Sequence, residues 1–362
     1  MSLITIQDSL RQSVEAASGG AQTVLVTPKG QLTYMNVFDK FDMSTIDSSL
    51  SGTHPAFIVN GVEKDKIYIG TYPGIIKNGE LVSQPNTNIA EGQSVATLLT
   101  AVRALGNGHH LCTYAEHSLL KMQAWASQKH VQGNTYFGRS GLDATQFGRR
   151  VDGASAVAGI TTGIPKIFTG SGPVTFRHNN RYSGVSDVVG NRPEFSVGLR
   201  LVNTEIQVLE NNNAAMSDAE ILSSGNWKAI DGATGNLIMP DGNGTTPGSV
   251  RLRVTTTPAT AEAYSLTVGS SSTETINITN ASPMPIPQFV LNKLKAFGVL
   301  TLTNQYSRGY TYVNSSQNVV GYTHTGGSFA EGASGIYQQS FSRTFSSSAS
   351  PVESARPCYY TP

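Results

Sequence analysis

The sequence predicts an α+β protein, and three observations carry that prediction. Thirty-seven glycines and sixteen prolines among 362 residues cut the chain into short pieces, the composition of many turns and short strands. Runs rich in β-branched and aromatic residues recur between those breaks, as in Thr23–Thr27, Lys66–Tyr72 and Ser249–Thr255, and such runs read as strands. Two stretches near the middle instead repeat apolar residues every three or four positions, the period of a helix that buries one face. Helix is the minority state.

The elements follow in order. Leu3, Ile6, Leu10 and Val14 form one apolar stripe that ends at Gly19-Gly20, so residues 1–18 predict a short amphipathic helix, stable only when docked on something larger. Thr23–Thr27 and Leu32–Asn36 flank Pro28-Lys29-Gly30-Gln31, a hairpin signal. Pro55–Gly61 and Lys66–Tyr72 read as further strands. A helix is expected over Glu91–Leu105, with Val95, Leu98, Leu99 and Val102 on one face and Gly106-Asn107-Gly108 as its stop. A second is expected over Thr113–Gln128, where Thr113 and Glu116 have the spacing of a capping box. From Gly133 to Gly172 the periodicity vanishes into a long polar, glycine-rich loop, and loops of that length are functional or stapled. Residues 204–287 lack His and Cys and are rich in Thr, Ser, Asn and Gly, and are read as a β-rich insertion closed by prolines.

Composition removes several functions. Charged residues are only 14% and the net charge is +1, so neither nucleic acid nor an anionic membrane has an electrostatic footprint here. No span is long and apolar enough for a transmembrane helix, and Met1-Ser2-Leu3-Ile4 lacks the basic start of a signal peptide; synthesis in a cytoplasm without that export route is expected. Cys112 and Cys358 are too few for a disulfide framework, and two reduced buried thiols are expected. Adjacent His109-His110 are expected on a loop, one exposed and one packed. His110 and His117 do not share a helix face as a zinc pair would. No Gly-x-Ser-x-Gly elbow, Walker loop or HExxH is present. Asp218 and Glu220 lie in a stretch that reads as solvated. No metal, cofactor or catalytic set is expected.

The C-terminal segment offers the candidate binding residues. Gly326 and Gly327 form a turn, and Phe329, Glu331, Tyr337, Gln339, Phe341, Arg343 and Phe345 follow among serines, a mixture of rigid aromatic anchors and small hydrogen-bonding residues found on recognition surfaces. The odd-numbered series from Tyr337 to Phe345 also has the alternation of a half-buried strand turning its aromatic face to a core. Both readings stand at this stage.

Several segments, in order, carry a family resemblance. Asn179 through Asn191, with Asp187, Gly190 and Asn191 followed by Glu194-Phe195, resembles the "GhyDhxGNVWEW" segment of the formylglycine-generating-enzyme-like, C-type-lectin-like superfamily. Phe57–Val62 and Lys66–Gly70 resemble its opening strands, and His110–Glu116 its "RLPTEAEW" helix start. Gly326-Gly327-Ser328-Phe329 resembles "GGSW", and Ala355-Arg356-Pro357 the closing "GFRP" strand. The chain departs from the pattern at Arg192-Pro193-Glu194-Phe195, where the family has Val-Trp-Glu-Trp, and at His117, which replaces the helix Trp.

The resemblance is to the branch found in phage and prophage tail proteins. It implies a C-type-lectin-like domain over 51–203 and 288–362, carrying the 204–287 insertion, with 1–50 as an attachment and oligomerisation segment. Asp187, Gly190, Asn191, Glu194, Gly326, Gly327 and Arg356 become scaffold residues, Arg356 pairing with Glu194 or Asp187. The copper-binding enzymes of the superfamily hold their ion with two cysteines close together near the C-terminus, where this chain has Cys358 alone, so no enzyme is expected. Gln84-Pro85-Asn86 is only faintly similar to the sugar-binding triplet of C-type lectins. The implied function is a virion adhesin of the phage tail or tail fibre, made in the host cytoplasm. Its partners would be other tail proteins, through the N-terminal segment, and a host-surface receptor, protein or glycan. The oligomer would be a homotrimer. A connector or decoration protein without receptor binding is the alternative.

Overall fold

The computed structural model describes residues 3–222, 225–254, 264–268, 278–279, 286–300, 309, 311–313, 320–332, 334–343 and 354–362. The chain is α+β: two main sheets, with helices packed on them. Helix α1 spans Leu3–Ser18 and stops where Gly19 and Gly20 take positive φ. The hairpin follows, Gln22–Val26 against Leu32–Asp39. Lys66–Gly70 pairs with Leu32–Asp39 on one side and with the C-terminal strand Pro357–Tyr360 on the other. His109–Leu111 closes this five-stranded antiparallel sheet by pairing with the same C-terminal strand. A strand from the end of the chain therefore sits between two from its first third.

Helix α2, Val95–Arg103, starts later than expected because Ser94, not Glu91, caps it by accepting the Thr97 amide. Helix α3, Tyr114–Ala126, has the expected capping box: the Thr113 hydroxyl accepts the Glu116 amide while the Glu116 carboxylate accepts the Thr113 amide. Pro55–Phe57 forms a short 3₁₀ turn rather than a strand, with only Ile58–Val59 extended after it. His109 and His110 are both buried in a strand, so the expected exposed loop position is corrected: pairing with the C-terminal strand covers both.

In the larger sheet, the strand Glu194–Val202 lies between Glu205–Val208 and Val320–Thr325, and Gln339–Arg343 and Thr311–Val313 follow outward. On the other side Val250–Val254, Tyr264–Val268 and Ile278–Thr279 extend it. The stretch read as an insertion from residue 204 thus continues the same sheet; its first strand is the second arm of a tight hairpin, with Glu205 opposite Val202. Asp218 lies in the five-residue helix α4, Asp218–Leu222, and pairs with Arg103 at 2.9 Å.

Three apolar clusters hold the layers. Ile67, Ile69, Leu119, Leu120 and Val189 pack α3 on the five-stranded sheet. Leu81, Leu98, Val102, Phe195 and Trp227 pack around α2. Leu199, Ile206, Leu252, Val290 and Leu294 join the larger sheet to α5, Gln288–Ala296. Glu194–Val202 feeds two of these clusters because its register against Val320–Thr325 shifts at 197–199, where Gly198 takes a φ of +100°. Such bulges re-aim side chains. Cys112 and Cys358 meet in the first cluster, both reduced, fully buried and in contact with each other.

Candidate functional site

Residues far apart in the sequence, Gly70, Ser186, Glu194 and Arg356, converge on one buried hub. Arg356, fully buried, donates from Nε to Glu194 Oε2 at 3.0 Å and from Nη2 to Glu194 Oε1 at 2.5 Å. Its remaining donors reach the Gly70 carbonyl at 2.7 Å and the Ser186 carbonyl at 2.9 Å. A planar guanidinium suits this fork geometry. Glu194 is the partner, and Asp187 lies close enough to feel the same charge. His117 is buried with its ring 3.9 Å from Glu194 and 3.2 Å from the Thr325 hydroxyl.

From this hub the chain staples its long loop. Gly190 and Asn191 take φ of +71° and +61°, and a Cβ on Gly190 would stand 2.3 Å from the Asn134 carbonyl oxygen, so only glycine fits there. The Gly190 amide donates to the Gly326 carbonyl at 2.6 Å, which joins the two glycine motifs directly. The Asn191 side chain accepts from the Ile167 amide at 2.9 Å and donates to the Ile167 carbonyl at 3.1 Å, as a strand neighbour would. Asn134 adds a bond to the Pro165 carbonyl at 2.8 Å. Asp187 caps the Gly170 amide at 2.7 Å, a partner across the loop rather than in its own turn. Burial pushes the Asp187 carboxyl up from its ordinary value.

The stapled loop presents an outward face. Residues 152–164 are exposed almost throughout, and their bases are tied by Arg150. It is buried and donates to Asp152 at 3.1 and 2.6 Å and to the Thr162 carbonyl at 2.7 Å. Asp152 in turn accepts the Ala154 and Ile164 amides at 3.1 and 2.8 Å. The hydrogen-bonded Arg150 holds the Asp152 carboxyl down at about 2. Phe147, Val157, Ile160 and Ile164 remain 45–56% exposed on this face. A cleft of about 730 Å³ opens between Phe147, Val157, Phe168 and the two arginines Arg149 and Arg150. Arg149 lies over the Phe168 ring at 4.3 Å. The lining holds no His, Cys, Asp or Glu, so it offers apolar surface and hydrogen-bond donors without an acid–base pair.

The C-terminal series is placed otherwise than a recognition surface requires. Tyr337, Gln339 and Phe341 are 2%, 1% and 1% exposed. Gln339 and Phe341 lie in a strand flanked by Val320–Thr325 and Thr311–Val313, with Tyr337 in the turn just before it, and Phe341 packs in the cluster beneath α5. The Tyr337 hydroxyl donates to the Lys121 carbonyl at 3.2 Å, and Gln339 donates to the Val299 carbonyl and the Thr311 hydroxyl. These three are therefore corrected from contact residues to core: strand pairing and overlying elements cover them. Arg343 ends the strand, opposite Tyr322, and its side chain lies outside the described residues, as does Phe345. Phe329 and Glu331 are half-buried at the turn after Gly326 and Gly327. The Phe329 ring meets Phe137 at 5.9 Å and lies under Arg192 at 4.6 Å, while Glu331 accepts the Gln338 side-chain amide. That turn touches the stapled loop, since the Gly332 amide donates to the Thr135 carbonyl at 3.0 Å.

Sequence reasoning missed Phe147, Arg149 and Ile164 as surface residues and Arg150 as the buried tie beneath them. The signal was the loop's length, together with the small, polar run of residues 152–163, too long to be a connector. Compared with known families and curated proteins, the chain matches no family model and no curated protein.

Proposed function

We propose that this chain is a phage tail or tail-fibre component that binds a host-surface receptor through a C-type-lectin-like domain, and that it is not an enzyme. The observation that carries the reading is the convergence of the resemblance-bearing segments: Gly70, Ser186, Glu194 and Arg356 share one set of hydrogen bonds, and Gly190 bonds Gly326. Segments that only looked like parts of one superfamily pattern are mutually bonded. The contact surface in this reading is the stapled loop, with Phe147, Val157, Ile160 and Ile164 as apolar anchors and the Phe329–Glu331 turn beside them. A rigidly held loop with exposed aliphatic and aromatic side chains loses little entropy on binding. Several copies on one particle raise avidity. Helix α1, whose Leu10 and Val14 are half-buried, would join the protein to the tail or to two further copies of itself.

A connector role is the second reading. It is favoured by Leu222, Met239 and Phe289, exposed by 61%, 60% and 57% far along the chain from the loop, which would then be subunit contacts. Binding of the purified protein to susceptible and resistant host cells separates the two. The adhesin reading expects binding to susceptible cells only, abolished by Phe147→Ser with Ile164→Ser in a chain whose circular dichroism is unchanged. A native chain that binds neither cell type would favour the connector.

A further inference from the structure

We propose that His110, Glu116 and Cys358 form a buried divalent-metal site whose donors fit zinc. His110 Nε2, a Glu116 carboxylate oxygen and Cys358 Sγ lie within 4.8 Å of one another. The Cys112 thiol touches that of Cys358 but is not one of this group. The three come from the strand His109–Leu111, the first turn of α3 and the C-terminal strand. None is more than 1% exposed. Donors about 2.0–2.3 Å from a tetrahedral zinc stand roughly 3.3–3.8 Å apart, so an ion needs His110 Nε2 and Glu116 Oε1, 2.8 Å apart without it, to separate slightly.

The surroundings orient these donors as a metal requires. His110 Nδ1 lies 2.9 Å from the Gly108 carbonyl oxygen. A carbonyl only accepts, so Nδ1 donates to it, the outer hydrogen bond that metal-bound histidines share. Nε2 lies 2.8 Å from Glu116 Oε1, a hydrogen bond whose bridging proton a metal ion at Nε2 would replace. The carboxylate is itself held by the Thr113 amide at 2.9 Å and the Asn212 amide at 3.2 Å. The Cys358 thiol beside this pair favours a soft or borderline metal. On binding, the thiol and the His110–Glu116 hydrogen bond each lose a proton to solvent, and Sγ and Nε2 donate lone pairs to the ion; no electron changes hands. The ion would join α3 to the C-terminal strand, and its burial requires loading during folding.

The test uses the untagged full chain, folded with reductant and a slight excess of zinc, then passed through gel filtration. Elemental analysis is expected to find about one zinc per chain, and the same preparation with cobalt to show thiolate-to-cobalt charge-transfer absorption. Cys358→Ser should lose that absorption and most of the metal. Folded native chain without metal overturns the proposal. Metal retained without the thiolate band also overturns it, because the ion then sits elsewhere. The cobalt spectrum is read on the native chain, so the outcome does not depend on the variant folding.

Discussion

The strand Gln339–Arg343 and the loop of residues 141–164 present opposite answers to one question. Both are rich in small polar residues punctuated by aromatic or aliphatic ones. In the strand, Phe341 is 1% exposed, and in the loop Phe147 is 56% exposed. The difference lies in backbone pairing. Gln339–Arg343 has a sheet neighbour on each side, and other elements cover the face that carries Gln339 and Phe341. The loop is tied by side chains, with Asn191, Asn134 and Arg150 at its bases and Arg139 on the Val157 carbonyl, and its apolar side chains are left outside. Composition alone does not tell a covered strand from a presented loop; the location of the hydrogen-bond partners does.

The largest expected effect comes from breaking what the two regions share. Arg356→Ala would leave Glu194 buried without its partner, and removing one member of a buried pair costs about 3–5 kcal/mol. Urea unfolding should show this loss, and Arg356→Lys should recover only part of it because an ammonium cannot make the forked contact. Next, Phe341→Ala should cost about 3–5 kcal/mol by the lost burial and the cavity left behind. A cost near zero would break the comparison, since it would mean that the strand is not core.

A smaller effect is specific to pH. Lys121 is fully buried beneath Tyr337, bonded to the Tyr114 hydroxyl and the Gly298 carbonyl at 3.1 Å each, and desolvation pulls its ammonium down to about 7. The unfolded chain keeps this proton to much higher pH, so between pH 7 and 8.5 the unfolded state binds more protons and stability rises with pH. The contribution approaches ~1.4 kcal/mol per pH unit, and Lys121→Met should flatten it. Stability that does not change over this window in the native chain would contradict the burial of Lys121. The smallest effect belongs to the loop. Phe147→Ser should change stability by no more than about 0.5 kcal/mol, the usual range for surface substitutions, while removing an anchor of the proposed contact face.

Much of the scaffold was legible in the residues. The α3 capping box could be read from Thr113 and Glu116 because capping is a local interaction. The end of α1 at Gly19-Gly20 and the first hairpin were legible for the same reason. The link between Arg356 and Glu194 came through resemblance, and the geometry resolves it in favour of Glu194 over Asp187. What stayed hidden depends on contacts between distant segments. The alternation through Tyr337, Gln339 and Phe341 allowed a buried strand face, but nothing local decided between that and a presented surface. Nor does anything near His109 and His110 say that a strand from the far end of the chain pairs there. The continuation of one sheet past residue 204 was masked by a change in composition, which does not report strand pairing.

The most direct test of the account is side-chain labelling of the native chain by hydroxyl radicals, read by mass spectrometry at Tyr337 and Phe341 against Phe147 and Tyr182. The account predicts labelling at Phe147 and at Tyr182, which is 80% exposed, with Tyr337 and Phe341 protected until the protein is unfolded. Equal labelling of the two pairs in the folded protein would contradict it.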